Sequence, residues 1–325
     1  MSRPSLALVT AALFGAVVAA GCGVGEGEAA EGEASLRVTE AFGATELVDA
    51  TLEDPTESDT VVRFLDANAE IETSYGGNFV DSIDGLGGST VDGSSQDWFF
   101  FVNGYYSDIG AGEATVEPGD RIWWDLREWR EAYRVPAVVG SWPEPFLNGF
   151  GGERLDTVVE CVADTEPAVC EDVADKLREA GVEPRTETVQ RPTPHPDDLR
   201  VLVGAWKTLR SDPAAAQLER GPGVSGVYAE VAPCDVGYRL AILGSDGEPR
   251  EQRVSAGFVA AVRRGEDQPT WLVSATGADA LAGATGLLDE ETLRDRYAVA
   301  TGSEGEPVPI PASDGLPVDE DGVCG

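Results

Sequence analysis

The side chains best suited to hold a ligand are aromatic and cationic ones that cluster in one stretch, Arg121 to Arg134 (RIWWDLREWREAYR). Tryptophan and tyrosine offer flat faces on which a planar molecule stacks, and a nearby arginine adds a cation. Because successive side chains of a strand point to opposite faces, at most one of Trp123 and Trp124 is expected in the core. The alternative is that these aromatic residues hold two domains together. The candidate ligand-binding residues are Trp98, Tyr105, Tyr106, Trp123, Trp124, Arg127 and Trp129.

A different chemistry, acylation of a thiol, is predicted at Cys22. Arg3 gives a short positive start, and residues 6–20 form an apolar run without charge. A membrane-spanning helix needs about 20 apolar residues, so this shorter run suits the core of a signal peptide. The sequence Ala19-Ala20-Gly21-Cys22 resembles a lipobox, in which signal peptidase cuts before a lipid-bearing cysteine. We therefore expect residues 1–21 to be a lipoprotein signal peptide, with an ordinary secretory signal as the alternative.

The segment that follows this cysteine is predicted to be a flexible acidic tether. The tether comprises residues 22–34, and after Cys22 it contains almost only glycine, alanine and glutamate. Such a composition cannot bury enough apolar surface to offset its ordering entropy, and its like charges extend it. A diacylated cysteine carries the two hydrophobic signals that stable anchoring needs. The expected location is the extracytoplasmic face of a bacterial cell membrane, with that membrane as a partner.

The charge of the chain limits its partners. Of 325 residues, Asp+Glu account for 59 and Lys+Arg for 23, which gives a net charge of -36. A surface this negative repels nucleic acid, so nucleic acid is not expected as a partner. With 42% hydrophobic residues the chain can still build cores, and its length predicts two domains or three small ones.

The remaining cysteines favour disulfides, because an even number outside the reducing cytosol is typical of exported proteins. Cys161 closes an apolar, strand-like run and Cys170 lies early in the predicted helix after it, so this pair is plausible. Cys234 and Cys324 would then pair. Four cysteines allow three connectivities, and the sequence leaves the choice open. A zinc site is the weaker alternative, since the sequence has no CxxC pair.

No catalytic set stands out in the sequence. The only histidine, His195, lies between two prolines in a segment typical of a linker. The sequence has no GxSxG elbow, Walker A run, HExxH motif or Rossmann fingerprint. We predict that the protein is not an enzyme and has no catalytic residues, metal site or cofactor.

The elements that would position the aromatic residues are short strands and one helix. Asn103-Gly104 follows the strand-like run Asp97 to Val102 and favours a tight hairpin. Glu117-Pro118-Gly119-Asp120 predicts a second turn. Residues 58–69 predict a short capped helix, and Ser35 to Thr39 predict an edge strand. One helix among about five short strands predicts a small α+β roll.

A pattern of turns and tryptophans runs through residues 34–133. Its residues are Trp98, Val102, Asn103, Gly104, Gly110, Gly119, Asp120, Ile122 and Trp124, preceded by Phe79, Val80, Ile83 and Gly85. The pattern resembles the transcobalamin-like C-terminal, β-grasp-like family, which is catalogued partly as a bacterial domain of unknown function. In the family's namesake this domain closes over cobalamin held by a second domain. The resemblance therefore implies recognition of a soluble ligand, here within an actinobacterial type of lipoprotein.

Beyond this region the sequence predicts a connector and a second domain. Residues 135–152 are rich in proline and glycine but apolar, and are expected to pack along a domain junction. From 153 to 311, strand-like runs alternate with helix-like ones, which favours a layered α/β sheet. Within it we predict a helix capped by Thr165 and another over residues 256–263. Residues 312–325 are expected to be a tail.

The predicted fold class is therefore α+β: a β-grasp-like domain over residues 35–134, followed by the layered α/β domain. The leading functional hypothesis is a membrane-anchored extracytoplasmic lipoprotein that binds a small molecule, cobalamin-like or another planar nutrient, at the domain junction. Delivery of that molecule to a membrane transporter is part of this hypothesis. The alternative hypothesis is a cell-surface interaction protein that contacts wall polymer or another protein through the same aromatic residues.

Overall fold

The structure is a computed structural model that describes residues 29–91, 94–194, 197–235, 237–302, 304–313 and 319–321. We call residues 29–134 the N-terminal part and residues 153–321 the C-terminal part, with the connector, residues 135–152, between them. Strands predominate over short helices in both parts, so the predicted α+β class is confirmed.

The N-terminal part is a mixed sheet with one helix on one face. Its strands are β1 (Glu33–Glu40), β2 (Thr45–Glu53), β3 (Ile71–Ser74), β4 (Phe79–Ile83), β5 (Leu86–Gly87), β6 (Ser89–Val91), β7 (Ser94–Val102), β8 (Tyr105–Tyr106) and β9 (Arg121–Glu128). The main sheet has the order β2-β1-β9-β7-β6, with β8 paired to β7, and β3-β4-β5 form a small separate sheet. Helix α1 (Val61–Asp66) begins after Thr60, whose side chain accepts a hydrogen bond from the backbone N–H of Arg63.

Two turns predicted from the sequence form as expected, and one strand differs. Asn103 and Gly104 take φ angles of 52° and 79° and close the β7–β8 hairpin. The N–H of Asp120 donates to the carbonyl of Glu117 at 3.1 Å across the second turn. Strand β1 is not an edge strand, because it pairs antiparallel with β2 and parallel with β9. Its alternating pattern reflects differing neighbours on its two faces rather than an open edge.

Both faces of the N-terminal sheet are covered. On β9, Ile122, Trp124 and Leu126 point toward α1 and join its hydrophobic core. The intervening Trp123, Asp125 and Arg127 are also buried, and Trp123 belongs to a core shared with the C-terminal part. Side chains of a strand alternate between faces, so this burial pattern places the sheet between two packed layers.

The C-terminal part combines a large mixed sheet with a smaller one. Its strands are β10 (Asp156–Val162), β11 (Arg185–Val189), β12 (Asp198–Ala205), β13 (Ala229–Cys234), β14 (Gly237–Leu243), β15 (Pro249–Arg253), β16 (Gly257–Val262), β17 (Thr270–Ala275), β18 (Ala298–Thr301), β19 (Pro307–Ile310) and β20 (Asp319–Asp321). The helices are α2 (Pro167–Glu179), α3 (Trp206–Leu209), α4 (Pro222–Ser225), α5 (Leu281–Gly286) and α6 (Glu290–Leu293). The sheet orders are β11-β10-β12-β17-β16-β18-β19 and β13-β14-β15-β20.

Two predictions for the C-terminal part were wrong in detail. The helix predicted over residues 256–263 is strand β16, which lies between β17 and β18 and is buried along its whole length. A run that is buried on both faces is apolar throughout, so its periodicity does not separate strand from helix. Helix α2 starts after Glu166, one residue beyond the predicted cap Thr165, with Pro167 in its first turn.

The predicted disulfide between Cys161 and Cys170 is confirmed and links β10 to α2.

The connector packs against the large sheet instead of running free. Trp142 and Phe146 lie on Trp271 of β17, with ring centres 5.6 Å and 5.1 Å apart. Val138 of the connector shares a core with Trp123 of the N-terminal part. One continuous apolar interior therefore runs from the N-terminal sheet into the C-terminal part.

Candidate functional site

A cleft of about 590 Å³ opens where the two parts meet. Its N-terminal wall is the turn between β1 and β2, together with the ends of β7 and β9. Its C-terminal wall is the turn between β14 and β15 and the segments beside β18 and β19. The described residues that line it are Ala41, Phe42, Ala44, Gln96, Glu128, Arg130, Ser245, Asp246, Arg250, Arg296, Pro309, Pro311, Ala312 and Ser313. Drug-sized ligands are held by pockets of roughly 300–1,000 Å³, so the cleft has the size of a binding site.

The turn between β1 and β2 has an unusual backbone. Ala41, Phe42 and Gly43 have φ angles of 56°, 62° and 77° in succession. The left-handed region is costly for residues with a side chain, and such residues persist only where their surroundings hold them. Here the carboxylate of Asp125 accepts the N–H groups of Phe42 at 3.1 Å and of Gly43 at 3.0 Å. This wall of the cleft is thus fixed before any ligand arrives.

The same turn fixes the two parts to each other. The ring of Phe42 meets the rings of Tyr228 and Tyr297 edge-on, with centres 5.0 Å and 5.1 Å apart. A Cβ atom added at Gly43 would lie 1.9 Å from the carbonyl oxygen of Asp295, so the two backbones are in close contact. The cleft therefore lies between two parts that are packed tightly at its base.

Asp125 is the polar centre of this junction and is fully buried. Besides the two turn N–H groups, it accepts hydrogen bonds from the hydroxyls of Thr39 at 2.6 Å and Tyr297 at 2.8 Å. Burial raises the pKa of Asp125 to about 6, although these hydrogen bonds and the nearby Arg127 favour the charged carboxylate. Burial also raises the pKa of Tyr297 well above its ordinary value, and the neighbouring Asp125 adds to that rise.

The described residues that line the cleft include three arginines and two carboxylates. Arg250 donates to Asp246 at 2.7 Å. Arg130 lies 3.6 Å from Glu128, beyond hydrogen-bonding distance. Arg296 is partly buried, and its guanidinium makes no hydrogen bond or ion pair in the described part of the chain. Among the described lining residues, arginines thus outnumber carboxylates, in contrast to the chain as a whole.

Three of the four tryptophans predicted as ligand contacts, Trp98, Trp123 and Trp124, are buried. Trp98 donates its indole N–H to the carbonyl of Leu86 at 2.9 Å, and Trp124 stacks on Phe100 with ring centres 4.7 Å apart. Trp123, on the opposite face, donates to the hydroxyl of Thr39 at 2.8 Å. The prediction that at most one of Trp123 and Trp124 lies in the core was wrong, because both faces of the sheet are covered.

The other predicted contacts are dispersed. Arg127 is buried under Phe99, with its guanidinium 3.9 Å from the ring centre, and donates to the carbonyl of Ala132 at 2.8 Å. Tyr105 donates to Gln268 of the C-terminal part at 2.8 Å. The half-buried remainder are Tyr106, whose ring lies below Arg134 at 5.5 Å, and Trp129, which donates to Asp97 at 3.0 Å.

None of the seven predicted contacts is among the described lining residues of the cleft. The contacts of Trp123 and Tyr105 with the C-terminal part fit the alternative considered from the sequence, that aromatic residues join the two parts. The sequence analysis missed Phe42 and Arg296, and it included Arg130 only as part of the stretch Arg121 to Arg134. A glycine after Phe42, between two alternating runs, is the signal of a tight turn; nothing local marks Arg296.

Other predicted sites are only partly described. Cys234 is disulfide-bonded, whereas Cys22, His195 and Cys324 lie outside the described residues. Within the described ranges, no cluster of three or more His, Cys, Asp or Glu side chains is placed to hold a metal ion. The helices of those ranges include none that is both long and apolar enough to cross a membrane.

The fold and the cleft define an α+β protein of two parts joined through a shared core. A family described as a domain of unknown function, DUF4430, matches residues 58–128. This match lies inside the region that resembles the transcobalamin-like family and supports that resemblance for the N-terminal part. It covers less than a quarter of the chain. No curated protein matches the chain.

Two solved structures show weak similarity to this chain. A proposed metal-binding protein from Ruminococcus gnavus is 20% identical, with a TM-score of 0.24, over 30% of this chain and 98% of that chain. Haptocorrin in complex with Cbi is 14% identical, also with a TM-score of 0.24, over 31% of this chain and 26% of that chain. The matched region thus spans about a quarter of haptocorrin. At these scores neither similarity bears on what this chain binds.

Proposed function

We propose that this protein is an extracytoplasmic lipoprotein that binds a small soluble molecule in the cleft between its two parts. The observation that carries the proposal is the cleft itself, about 590 Å³ in volume and lined by both parts. Ligand sites are typically concave and occur preferentially at such junctions, with a few polar groups among apolar ones. Delivery of the bound molecule to a membrane transporter is the role expected of a tethered binding protein.

Preorganisation supports binding at this site. The turn of Ala41, Phe42 and Gly43 holds a backbone conformation that would be costly without Asp125. Strained residues of this kind cluster at ligand clamps, where the surrounding structure maintains them. A wall that is already ordered loses little conformational entropy when a ligand binds, which favours affinity.

Thermal unfolding of the mature chain in the presence of small molecules tests this proposal. The screen includes cyanocobalamin, other vitamins, sugars and organic acids, and we expect at least one to raise the melting temperature, because a ligand that binds only the folded state stabilises it. Substitution Ala44→Trp places a large side chain at the cleft wall and should abolish the shift. Ala168→Trp, on an exposed face of α2, should retain it. Absence of any shift across the screen would contradict the proposal.

The lipid anchor is a separate proposal and rests on the sequence around Cys22. Metabolic labelling with a palmitate analogue should mark the wild-type chain in the membrane fraction. Cys22→Ser should leave the chain unlabelled and remove it from that fraction. An unlabelled wild-type chain in the cytosol would contradict the anchor while leaving the cleft proposal open to its own test.

A surface-interaction role is a second candidate, favoured by exposed apolar side chains at one end of the N-terminal part. Tyr75 is 85% exposed, Ile109 53% and Phe79 42%. The chain segments that carry these side chains meet where the N–H of Ala111 donates to the carbonyl of Asn78 at 3.3 Å. Binding of purified cell-wall material, lost in Tyr75→Ser and retained in Ala44→Trp, would favour this role over capture of a small molecule.

A further inference from the structure

We infer that the ligand of the junction cleft carries an anionic group, a carboxylate or a phosphate, that is bound by Arg296 of the C-terminal wall together with Arg130 of the N-terminal wall. This inference rests on the proposed function and adds the chemical class of its ligand. It follows from the partners that the other arginines have and from the balance of charge among the residues that line the cleft.

Elsewhere in the described structure, arginines that are withdrawn from solvent have acceptors for their N–H groups: carboxylates in most cases, and backbone carbonyls for the buried Arg127. Arg200, 5% exposed, donates to Glu160 at 2.6 Å and to Asp212 at 2.9 Å. Arg253 is likewise paired, with Glu251 at 2.7 Å. Removing a charge from water without a partner is costly, so such pairing is the expected arrangement.

The smaller cavity on another side of the junction shows the same rule. It has a volume of about 160 Å³ and contains Arg37, whose side chain is 13% exposed. Arg37 binds Glu46 at 2.8 Å, Asp49 at 2.7 Å and also Asp295. Three carboxylates leave no need for an external anion there. The protein's own carboxylates therefore neutralise the arginine in this cavity.

Arg296 departs from this rule. It is partly buried and lines the larger cleft, yet within the described ranges its guanidinium has no hydrogen bond or ion pair. Arg130 has only the 3.6 Å contact with Glu128 and is about half exposed. Five donor N–H groups in a planar fork remain available on each guanidinium, and that geometry matches a carboxylate or a phosphate.

The charge of the whole chain makes this local excess informative. Asp+Glu outnumber Lys+Arg by 59 to 23 in the sequence. Among the described lining residues the excess has the opposite sign: Arg250 is paired with Asp246, which leaves Arg130 and Arg296 with the one carboxylate of Glu128. A negative surface disfavours the approach of an anion, so a cleft with surplus cations is the place where an anionic ligand gains most from binding.

The test measures how the mature chain responds to probes of different charge. Inorganic phosphate, succinate and benzoate serve as anions, glucose as a neutral probe and spermidine as a cation, each at matched ionic strength. Titration calorimetry and thermal unfolding should show binding of at least one anion, weakened by added potassium chloride because salt screens the charges. The preference between phosphate and the carboxylates identifies the group.

Variants then assign the interaction to the cleft. Arg296→Gln should weaken anion binding at least about tenfold, and Arg130→Gln should weaken it less, because Arg130 is more exposed. Arg220→Gln removes the same charge from an exposed position outside the cleft and should leave binding unchanged. An equal response of Arg220→Gln and Arg296→Gln would overturn the inference.

The two proposals fail in distinguishable ways. If Ala44→Trp abolishes binding of a neutral or cationic molecule that Arg296→Gln still binds normally, the cleft is a binding site and the inferred anionic class is wrong. If anions and the wider screen give no binding at all, the proposed function and the inference both fail.

Discussion

The hydroxyl of Tyr297 donates a 2.8 Å hydrogen bond to Oδ2 of Asp125 and joins the two parts of the molecule at a fully buried position. The same carboxylate holds the strained turn that forms one wall of the cleft. Asp125 thereby couples the N-terminal sheet, the cleft wall and the C-terminal part through one group.

Tyr297→Phe removes this hydrogen bond and leaves the ring in place. We expect a loss of about 1–3 kcal/mol in the free energy of unfolding, since a hydrogen bond to a charged, buried acceptor is lost. Urea denaturation measures it. The matched change Tyr133→Phe, at a side chain that is 68% exposed, should have an effect within about 0.5 kcal/mol of zero. Equal effects of the two changes would show that the contact contributes no stability.

The pH dependence of stability should carry the signature of Asp125. Because burial raises its pKa to about 6 from an ordinary value of 3.8, the folded chain binds more protons than the unfolded chain between these values. The contribution of Asp125 to stability is therefore fully present below pH 4 and decreases as the pH rises through about 6. The pKa of Asp120 is also raised to about 6 by burial, so both groups act in the same direction.

Asp125→Asn isolates the contribution of that one group. At pH 4 the carboxyl of Asp125 is protonated but still offers two oxygens to the surrounding donors, whereas Asn offers one oxygen and a further donor, so the variant should be less stable than the wild type at this pH. As the pH rises toward 7, the difference between the two should narrow by about 2–3 kcal/mol, the equivalent of a shift of two pKa units. Urea denaturation at several pH values measures the difference, and parallel curves for the two proteins would contradict the assignment.

Phe42→Ala should destabilise the protein by about 3–5 kcal/mol, because a large buried aromatic side chain is removed from between two tyrosines. The variant should also lose ligand binding, since Phe42 lines the cleft. Phe79→Ala, at a side chain 42% exposed, is the matched control and should cost much less. Comparable losses from both changes would argue against Phe42 as the contact that fixes the junction.

Gly43→Ala and Gly76→Ala separate backbone strain from crowding. The two glycines have similar φ angles, 77° and 73°, so alanine meets a similar conformational cost at each, about 1–2 kcal/mol. A Cβ at Gly76 has no atom within 4 Å, whereas one at Gly43 would lie 1.9 Å from the carbonyl oxygen of Asp295. We expect Gly43→Ala to be the more destabilising by at least about 2 kcal/mol in urea denaturation. Similar losses of stability in the two variants would mean that the backbone of the junction shifts at little cost to accommodate the added Cβ atom.

Local chemistry allowed several elements to be predicted from the sequence. The Asn103-Gly104 hairpin, the turn before Asp120 and the disulfide of Cys161 with Cys170 all depend on residues close together in the chain. Strand β16 was predicted as a helix because burial on both faces removes the alternation that identifies a strand.

The site was harder to predict because its contacts join distant segments. Phe42 acquires its role from Tyr228 and Tyr297, and the cleft requires Arg296 to meet the turn of the N-terminal part. Trp123 and Trp124 have the composition of a binding surface, yet covering layers from other parts of the chain bury both. Local sequence does not reveal which exposed-looking face a later segment will cover.

Asp125 and Tyr297 are 172 residues apart in the sequence, so the ribosome adds Tyr297 well after Asp125. At a ribosomal rate of about 5–20 residues per second, roughly ten to thirty seconds pass between synthesis of the two residues. During that interval the face bearing Phe101 and Trp123 has no Tyr297 to pack against. The nascent chain therefore exposes an apolar, aromatic surface before the residue that packs on it has been synthesised. A chaperone that binds and covers this surface should raise the yield of correctly folded protein.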